Sequence, residues 1–244
     1  MQVFTVAITK GGTGKTSTAA ALAQAAAAEG RKVLAVDCDP QGNLGAILGG
    51  TPGPGVLELL HGGEAAQLIQ RTPQGIDLLA ASPDLFAEES RAGSARRLRT
   101  GLEPVKRKYD LAIIDTGPSL GELVYNSIMA ASGLLIPLEA DLNALQGLRQ
   151  VLAIAGQLQQ QGNPRLKVYG CILTRYDGRS KLARQLREII GREGEAAGAP
   201  LLAAIRAGIA IREAQALRRS LYDYAPKSKP ALDYLALYHK ITEG

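Results

Sequence analysis

The sequence predicts an α/β fold, a doubly wound and mainly parallel sheet flanked by helices. Short apolar runs at 3–8, 33–36 and 111–114 alternate with longer segments of helical character. Runs of this length are typical of strands that are buried on both faces of a parallel sheet. A glycine-rich loop joins the first strand to the first helix, as in sheets that bind ligands at the carboxyl ends of their strands.

The glycine-rich loop reads Thr9-Lys10-Gly11-Gly12-Thr13-Gly14-Lys15-Thr16-Ser17 and precedes an alanine-rich helix over 16–29. Glycines let the backbone wrap around an anion, and the helix N-terminus adds positive potential. We therefore expect a phosphate-binding loop in which Lys15 binds the β- and γ-phosphates and Thr16 ligates Mg²⁺. The usual loop has a glycine where this chain has Thr9, so this is a variant with two lysines. The predicted nucleotide contacts are Lys10, Gly11, Gly12, Thr13, Gly14, Lys15, Thr16, Ser17 and Gly117.

Acidic residues follow two further strands. The strand at 33–36 runs into Asp37-Cys38-Asp39-Pro40-Gln41-Gly42-Asn43, and the strand at 111–114 into Asp115-Thr116-Gly117-Pro118-Ser119. A single acid after a buried strand is the Walker B arrangement, which predicts that Asp115 holds Mg²⁺ through water. On the residues alone, Asp37 and Asp39 are better explained as turn-forming acids that cap the next helix.

The remaining chain continues the alternation of strands and helices. The segment 45–75 is rich in glycine and proline and is expected to be mobile covering structure with one short helix. Apolar spacing predicts that Leu182, Leu186, Ile189 and Ile190 of one helix face the core. We predict short helices at 56–61 and 84–90, helices at 95–108, 121–131 and 142–161, strands at 76–80, 133–137, 166–173 and 201–205, a helix near 212–214 and a last helix after Pro230.

Together these strings resemble the ParA/MinD family of ATPases, which share a deviant P-loop on the P-loop NTPase fold. Lys10 matches the signature lysine of that family, residues 37–43 its switch I, and residues 111–119 its Walker B and switch II segment. Thr174-Arg175-Tyr176-Asp177-Gly178-Arg179 also resembles a family segment. The chain departs at Gly117-Pro118, where many relatives have two prolines, and at Ala204-Ile205-Arg206, where relatives have Ile-Pro-Arg. The second departure leaves the adenine contacts undefined.

The resemblance implies a ParA-type ATPase with ATP and Mg²⁺ as cofactors and with slow turnover until a partner stimulates it. ATP would close two copies into a sandwich homodimer that binds double-stranded DNA without sequence preference and partitions plasmids or chromosomes. The stimulating partner would be a centromere-binding or adaptor protein. The implied catalytic residues are Lys10, Lys15 and Asp39. Lys10 would reach the nucleotide of the other subunit, and Asp39 would orient the attacking water and is a further candidate for water-mediated contact with Mg²⁺.

The net charge of +5 is unevenly distributed. Residues 1–150 carry 13 Lys and Arg against 15 Asp and Glu, whereas residues 151–244 carry 15 against 8. A basic C-terminal portion fits a polyanionic partner, although solubility alone explains it equally well. The predicted DNA-binding residues are Lys181, Arg184, Arg187, Lys227 and Lys229.

Three alternatives share the same loop. A MinD-like division-site regulator would need a basic amphipathic helix at a membrane, but the last helix has Lys240 as its one Lys or Arg after Pro230 and the chain has no Trp. An electron-transfer enzyme resembling nitrogenase iron protein is nearly excluded, because Cys38 and Cys171 do not match the cluster positions. A third alternative keeps the mechanism and positions a protein cargo on the nucleoid.

Composition sets the expected organisation and location. No apolar run approaches 18 residues, and a strand begins almost at the N-terminus. We therefore expect a single domain over 1–244, without an N-terminal DNA-binding extension, in a cytoplasmic protein. The family resemblance further implies that this domain is an ATPase and that the protein is associated with the nucleoid. Membrane attachment is not expected.

Overall fold

A computed structural model describes residues 1–91, 93–141 and 143–243. An eight-stranded sheet forms its centre, in the spatial order β3-β4-β2-β5-β1-β6-β7-β8. All neighbouring pairs are parallel except β3 with β4. The strands are β1 (Gln2–Val6), β2 (Val33–Cys38), β3 (Gln70–Arg71), β4 (Asp77–Leu79), β5 (Leu111–Thr116), β6 (Gly133–Leu138), β7 (Lys167–Tyr176) and β8 (Leu201–Arg206).

Helices cover both faces of this sheet, as the alternating pattern predicts. The helices are α1 (Lys15–Ala28), α2 (Asn43–Leu48), α3 (Gly55–Leu60), α4 (Ala65–Leu68), α5 (Arg97–Leu102), α6 (Glu122–Ala130), α7 (Ala144–Gln161), α8 (Lys181–Ala196), α9 (Ala210–Ala216), α10 (Leu221–Tyr224) and α11 (Lys229–Thr242). Two 3₁₀ helices span Pro83–Ser90 and Glu103–Val105. One core lies between the sheet and α1, α10 and α11. Two others lie on the opposite face, under α6, α7 and α8 and under α3 and α5.

The central strands are buried along their whole length. Every residue of β2, β5 and β6 is buried. Strands covered on both faces need side chains that avoid water on both sides, which explains their continuous apolar sequences. The predicted α/β fold is thus confirmed.

Strand register brings the predicted site together. Asp37 in β2 and Val6 in β1 both pair with Asp115 in β5. The glycine-rich loop follows β1, so it starts at the sheet edge where β2 and β5 end in acids. This is the carboxyl edge of a parallel sheet, where open α/β folds bind ligands.

Several local predictions were wrong. The helix expected over 95–108 is a short α5 followed by a 3₁₀ turn, because Pro104 cannot continue an α-helix. The segment 45–75 contains α3, α4 and the short strand β3, and the side chains of Val56 and Leu59 are buried in the core. Leu182 and Ile189 are exposed, although their spacing suggested burial. Leu142, where a helix was expected to start, lies outside the described residues, and α7 begins at Ala144.

None of the described helices combines the length and apolar character that crossing a membrane requires.

Candidate functional site

The glycine-rich loop adopts the backbone that its glycines permit. Gly12 and Gly14 have φ values of 77° and 87°, in the left-handed region that residues with a side chain rarely adopt. Gly14 immediately precedes α1. A Cβ on Gly14 would also lie 3.3 Å from the side chain of Thr174. The backbone of the loop therefore leads directly into the N-terminus of α1, which is the arrangement that an anion-binding loop requires.

Lys15 lies inside this cradle. Its side chain is buried, and its Nζ donates to the Lys10 carbonyl oxygen at 2.9 Å. Burial lowers the pKa of Lys15, and the negative charges of Asp115 and Asp39 act in the opposite direction. Lys15 is thus a buried ammonium held toward two carboxylates, in the place predicted for the phosphate-binding lysine.

Asp115 is a buried acid of the site whose carboxylate is poorly hydrogen-bonded. Its residue is fully buried, and within the described residues neither carboxyl oxygen accepts a hydrogen bond of ordinary geometry. Burial and the adjacent charge of Asp37 raise the pKa of Asp115 well above its usual value, and the nearby Thr16 hydroxyl and Lys15 oppose this shift only in part. A buried carboxylate without hydrogen bonds is costly. The arrangement is explained if a cation, with its water shell, completes the surroundings of Asp115.

Asp37 and Asp39 have different surroundings. The Asp37 carboxylate accepts backbone hydrogen bonds from Gly45 at 2.9 Å and Asp39 at 3.2 Å, and burial raises its pKa to about 7. Asp37 therefore fixes the turn that follows β2. Asp39 Oδ1 accepts from the Gln41 backbone at 3.0 Å and lies 3.6 Å from the point where a Cβ of Gly117 would sit. The structure thus places Asp39 beside Gly117.

These residues fit a magnesium ion that binds with a nucleotide. Among the described residues, no group of three or more His, Cys, Asp or Glu side chains is arranged to hold a metal by itself. Mg²⁺ commonly keeps several waters and takes one or two carboxylates together with phosphate oxygens. The unpaired oxygens of Asp115, with the Thr16 hydroxyl at the start of α1, supply such a partial set.

Lys10 differs from Lys15 in its position. It lies at the loop rim, where Nζ forms an ion pair with Asp141 after β6, and its side chain is 41% exposed. The two lysines of the variant loop are therefore separated: Lys15 lies in the cradle and Lys10 at the surface. Ser17 follows in α1, where its hydroxyl accepts from Gln215 at 3.0 Å.

A cavity of about 470 Å³ adjoins the glycine-rich loop. Beyond the loop, its lining comes from the ends of β7 and β8, the segment that joins β8 to α9, α9 itself and one residue of α11. These residues are Thr174, Arg175, Ile205, Arg206, Ala207, Gly208, Ile209, Ile211, Arg212 and Tyr234. Sequence reasoning noted the family segments at 174–179 and 204–206 but assigned them no contact, and it missed the other lining residues. A larger groove of about 650 Å³ lies away from the loop, between 59–66 and 94–104, and contains none of the predicted site residues.

Arg175 closes one side of this cavity. It adopts a φ of 52°, which is uncommon for a residue other than glycine. Its guanidinium donates to the Gly12 carbonyl and forms an ion pair with Glu139. The Thr174 hydroxyl donates to the Thr13 carbonyl at 2.7 Å. The end of β7 therefore supports the glycine-rich loop from the cavity side.

The predicted DNA-binding residues flank β8, the edge strand. Lys181, Arg184 and Arg187 are exposed on α8, although Arg184 Nη1 also donates to the Gly178 carbonyl at 2.8 Å. Lys227 and Lys229 are exposed at the start of α11. An ion pair between Arg206, the last residue of β8, and Asp233 fixes this end of α11 at the carboxyl edge. Both basic sets therefore begin near the edge that carries the candidate site.

Comparisons with known proteins agree with this geometry. A family model described as an AAA domain matches residues 1–168. The chromosome-partitioning ATPase Soj of Thermus thermophilus is 36% identical over 234 residues, which cover 95% of this chain and 92% of Soj. The chromosome partitioning protein ParA of Myxococcus xanthus is 36% identical over 249 residues, covering 97% and 86%.

Solved structures extend the comparison. Cobyrinic acid a,c-diamide synthase from Mycobacterium smegmatis, with a bound ATP analogue and magnesium, has a TM-score of 0.85 and 34% identity over 100% of this chain and 97% of its own. An ATP complex of McdA from Cyanothece has a TM-score of 0.87 and 26% identity, covering 100% and 95%. MinD from Pyrococcus horikoshii, with Mg-ADP, has a TM-score of 0.78 and 25% identity, covering 99% and 96%.

Fold, loop and strand-end acids define this chain as a P-loop nucleotide-binding protein. The matches to the relatives, which span nearly the whole chain, also define its family. The chain belongs to the ParA/MinD family of P-loop ATPases. The predicted ATP and Mg²⁺ agree with the ligands of the solved relatives.

The electrostatics of Asp115 generate a prediction on stability. We expect Asp115→Asn to stabilise the nucleotide-free protein at pH 7–8 by roughly 1 kcal/mol or more, because folding disfavours the ionised carboxylate that Asp115 forms in the unfolded chain, and an amide does not ionise. A pKa raised by folding gives stability that is present at low pH and lost as pH rises. The gain should therefore shrink toward pH 4, where both proteins are neutral at this position. Urea unfolding at pH 4 and pH 7.5 measures it, and equal stability at pH 7.5 would contradict it.

Proposed function

We propose that this chain is a ParA-type ATPase whose ATP-bound homodimer binds double-stranded DNA and partitions plasmids or chromosomes. The separation of Lys10 from Lys15 carries the proposal. Lys15 already occupies the phosphate cradle, whereas Lys10 stands at the rim in an exposed ion pair. A lysine at the rim is suited to contact a nucleotide across an interface. The names of the T. thermophilus and M. xanthus relatives support the partition role.

Hydrolysis in this proposal depends on positioning and charge neutralisation. Phosphoryl transfer needs little covalent chemistry from the protein. Lys15 and the partner's Lys10 stabilise negative charge on the phosphates, and Asp39 orients the attacking water. Thr16 would ligate Mg²⁺, Asp115 would hold it through water, and the Gly117 N–H would donate to the γ-phosphate. Turnover is slow until a centromere-binding or adaptor protein stimulates it.

DNA binding in this proposal follows from the position of the basic residues. Lys227 and Lys229 lie at the start of α11, and Lys181 at the start of α8, all near the carboxyl edge. Closure of a dimer over the nucleotides would bring the corresponding residues of both subunits to one surface. Contacts to backbone phosphates carry no base information, so binding is independent of sequence. The proposed location is the nucleoid, in the cytoplasm.

Two relatives of known structure correspond to the alternative functions. McdA and MinD have this fold, so positioning of a protein cargo and a division-site role remain competing proposals. The apolar residues Tyr234, Leu237 and Ile241 of α11 are buried against the sheet and α1. This face is therefore used in packing, which favours DNA over a lipid surface as the partner. Co-sedimentation with anionic vesicles would favour the MinD-like alternative.

The dimer proposal predicts that Lys10→Ala binds Mg-ATP yet stays monomeric. The Lys10 carbonyl that accepts from Lys15 is backbone and remains in the variant, so the cradle is preserved. Sedimentation velocity with a non-hydrolysable ATP analogue measures the dimer, and fluorescent nucleotide titration measures binding.

Asp141→Asn is the matched control, because it breaks the same ion pair and leaves Lys10 in place. An exposed pair is worth at most about 1 kcal/mol, so the dimer constant should change by fivefold or less. Normal dimerisation of Lys10→Ala would contradict the proposal.

The DNA proposal predicts that changing Lys227 and Lys229 to Glu abolishes ATP-dependent duplex binding and preserves the dimer. Glu is favourable in the first turn of α11, so the helix should remain intact. The unmodified protein should lose roughly tenfold in affinity for a few-fold rise in salt if about three to six phosphates are contacted. Fluorescence anisotropy over a salt series measures both.

Changing Arg107 and Lys108 to Glu gives a control with the same change in charge. These exposed residues precede β5, at the amino ends of the parallel strands and not at the carboxyl edge. Their replacement should leave most of the affinity. Equal losses in both double variants would mean that net charge, and not this surface, governs binding.

A further inference from the structure

Glu89 reaches the candidate site from a separate part of the chain. It lies near the end of the 3₁₀ helix Pro83–Ser90 and is partly buried. Its Oε1 is 3.7 Å from the point where a Cβ of Gly117 would sit, and Asp39 Oδ1 is 3.6 Å from the same point. Two carboxylates on different elements are therefore directed at one small volume beside Gly117.

The preceding residue anchors this helix. Glu88 is buried, and its carboxylate accepts from Arg97 at 2.6 Å, from Arg91 at 3.0 Å, and contacts the ring of His61 at 3.0 Å. These partners lie in and before α5 and after α3. With Glu88 fixed there, the neighbouring Glu89 side chain is turned toward residues 117–121.

Gly121 confirms how closely Glu89 approaches the segment after β5. A Cβ on Gly121 would lie 2.5 Å from the Glu89 backbone oxygen and closer still to its Oε2. No side chain fits there while Glu89 keeps its place. Gly121 has an extended backbone with a φ of −79°, so close approach rather than backbone conformation accounts for the glycine.

The volume next to Gly117 is suited to water. No atom outside residue 117 and its chain neighbours lies within 3.6 Å of the Cβ point, and both facing oxygens accept hydrogen bonds but donate none when ionised. Water has two donors. If both O–H groups of the water donate to the two carboxylates, a lone pair of the water oxygen remains free. That lone pair can then face the γ-phosphate to which the Gly117 N–H is proposed to donate.

We propose that Glu89 is a further catalytic residue, which binds the attacking water together with Asp39. This inference rests on the proposed ATPase function. The water oxygen forms a bond to the γ-phosphorus, and the bond from that phosphorus to the bridging oxygen breaks, with its electron pair leaving on ADP. The proton passes to the carboxylate pair and then to solvent. In this chain Gly117 leaves the space open, whereas a side chain there would fill it.

Glu89→Gln tests the assignment, with Asp84→Asn as the matched control. Asp84 is exposed on the same 3₁₀ helix, so its variant removes one carboxylate charge from the same element. In single-turnover hydrolysis of Mg-ATP we expect Glu89→Gln to lose about 10- to 100-fold in rate, with the Kd for ATP changed by no more than about twofold. Asp84→Asn should retain the parental rate and affinity.

Gly117→Ala provides an independent variant. The added methyl group meets no atom closer than 3.6 Å and the backbone N–H is kept, so folding should be unaffected. Because the methyl group would project into the space between the two carboxylates and displace the proposed water, the rate should again fall about 10-fold or more while ATP binding persists. Parental rates in both Glu89→Gln and Gly117→Ala would overturn the assignment.

A binding measurement tests the assignment without turnover. ADP with aluminium fluoride mimics the planar transferring group with its attacking water, whereas ADP with beryllium fluoride mimics the ground state. Glu89→Gln should weaken the first complex about 10-fold or more and the second by no more than about twofold. Equal weakening of both would mean that Glu89 only supports the fold. Failure of the unmodified chain to hydrolyse ATP would overturn the ATPase proposal, and the two fluoride complexes would still test Glu89.

Discussion

The burial of acidic side chains around one lysine is the constraint on which this structure depends. Asp37 and Asp115 are fully buried on paired positions of β2 and β5, and Asp39, the residue after β2, is almost fully buried. Lys15 supplies the opposite charge from the start of α1. Asp37 is compensated by backbone N–H groups, whereas Asp115 lacks hydrogen bonds of ordinary geometry within the described residues. The nucleotide-free chain thus holds a charge arrangement that Mg²⁺ and phosphate would complete.

The surrounding architecture keeps these groups in place. Parallel strands covered on both faces fix the register that joins Asp37 to Asp115, and the loop after β1 can follow only along the same edge. Residues from distant segments reach that edge. Thr174 and Arg175 support the loop from β7, and Glu89 approaches from the 3₁₀ helix. A packed sheet that carries loops at one edge is suited to hold a binding site.

The sequence predicted the sheet and the loop well, because both depend on local composition. Buried parallel strands are continuously apolar, and the left-handed Gly12 and Gly14 stand in a recognisable string. Features decided by distant packing were missed. The two-residue strand β3 has no periodicity to detect, and Ile189 satisfies helical spacing although its side chain is exposed. Glu89 carries no motif, and most cavity residues carry none, since their role arises only where separate elements meet.

The most direct test of this account is the proton balance of Mg-ATP binding. Burial raises the pKa of Asp37 to about 7 and also raises the pKa of Asp115, so both carboxyls hold protons more readily in the free protein than exposed acids do. A cation beside Asp115 favours the ionised form. Calorimetric titration at pH 7 in buffers of different ionisation enthalpy should show proton release on binding preformed Mg-ATP, and much less release with Asp115→Asn. Proton uptake, or equal release by the two proteins, would contradict the account.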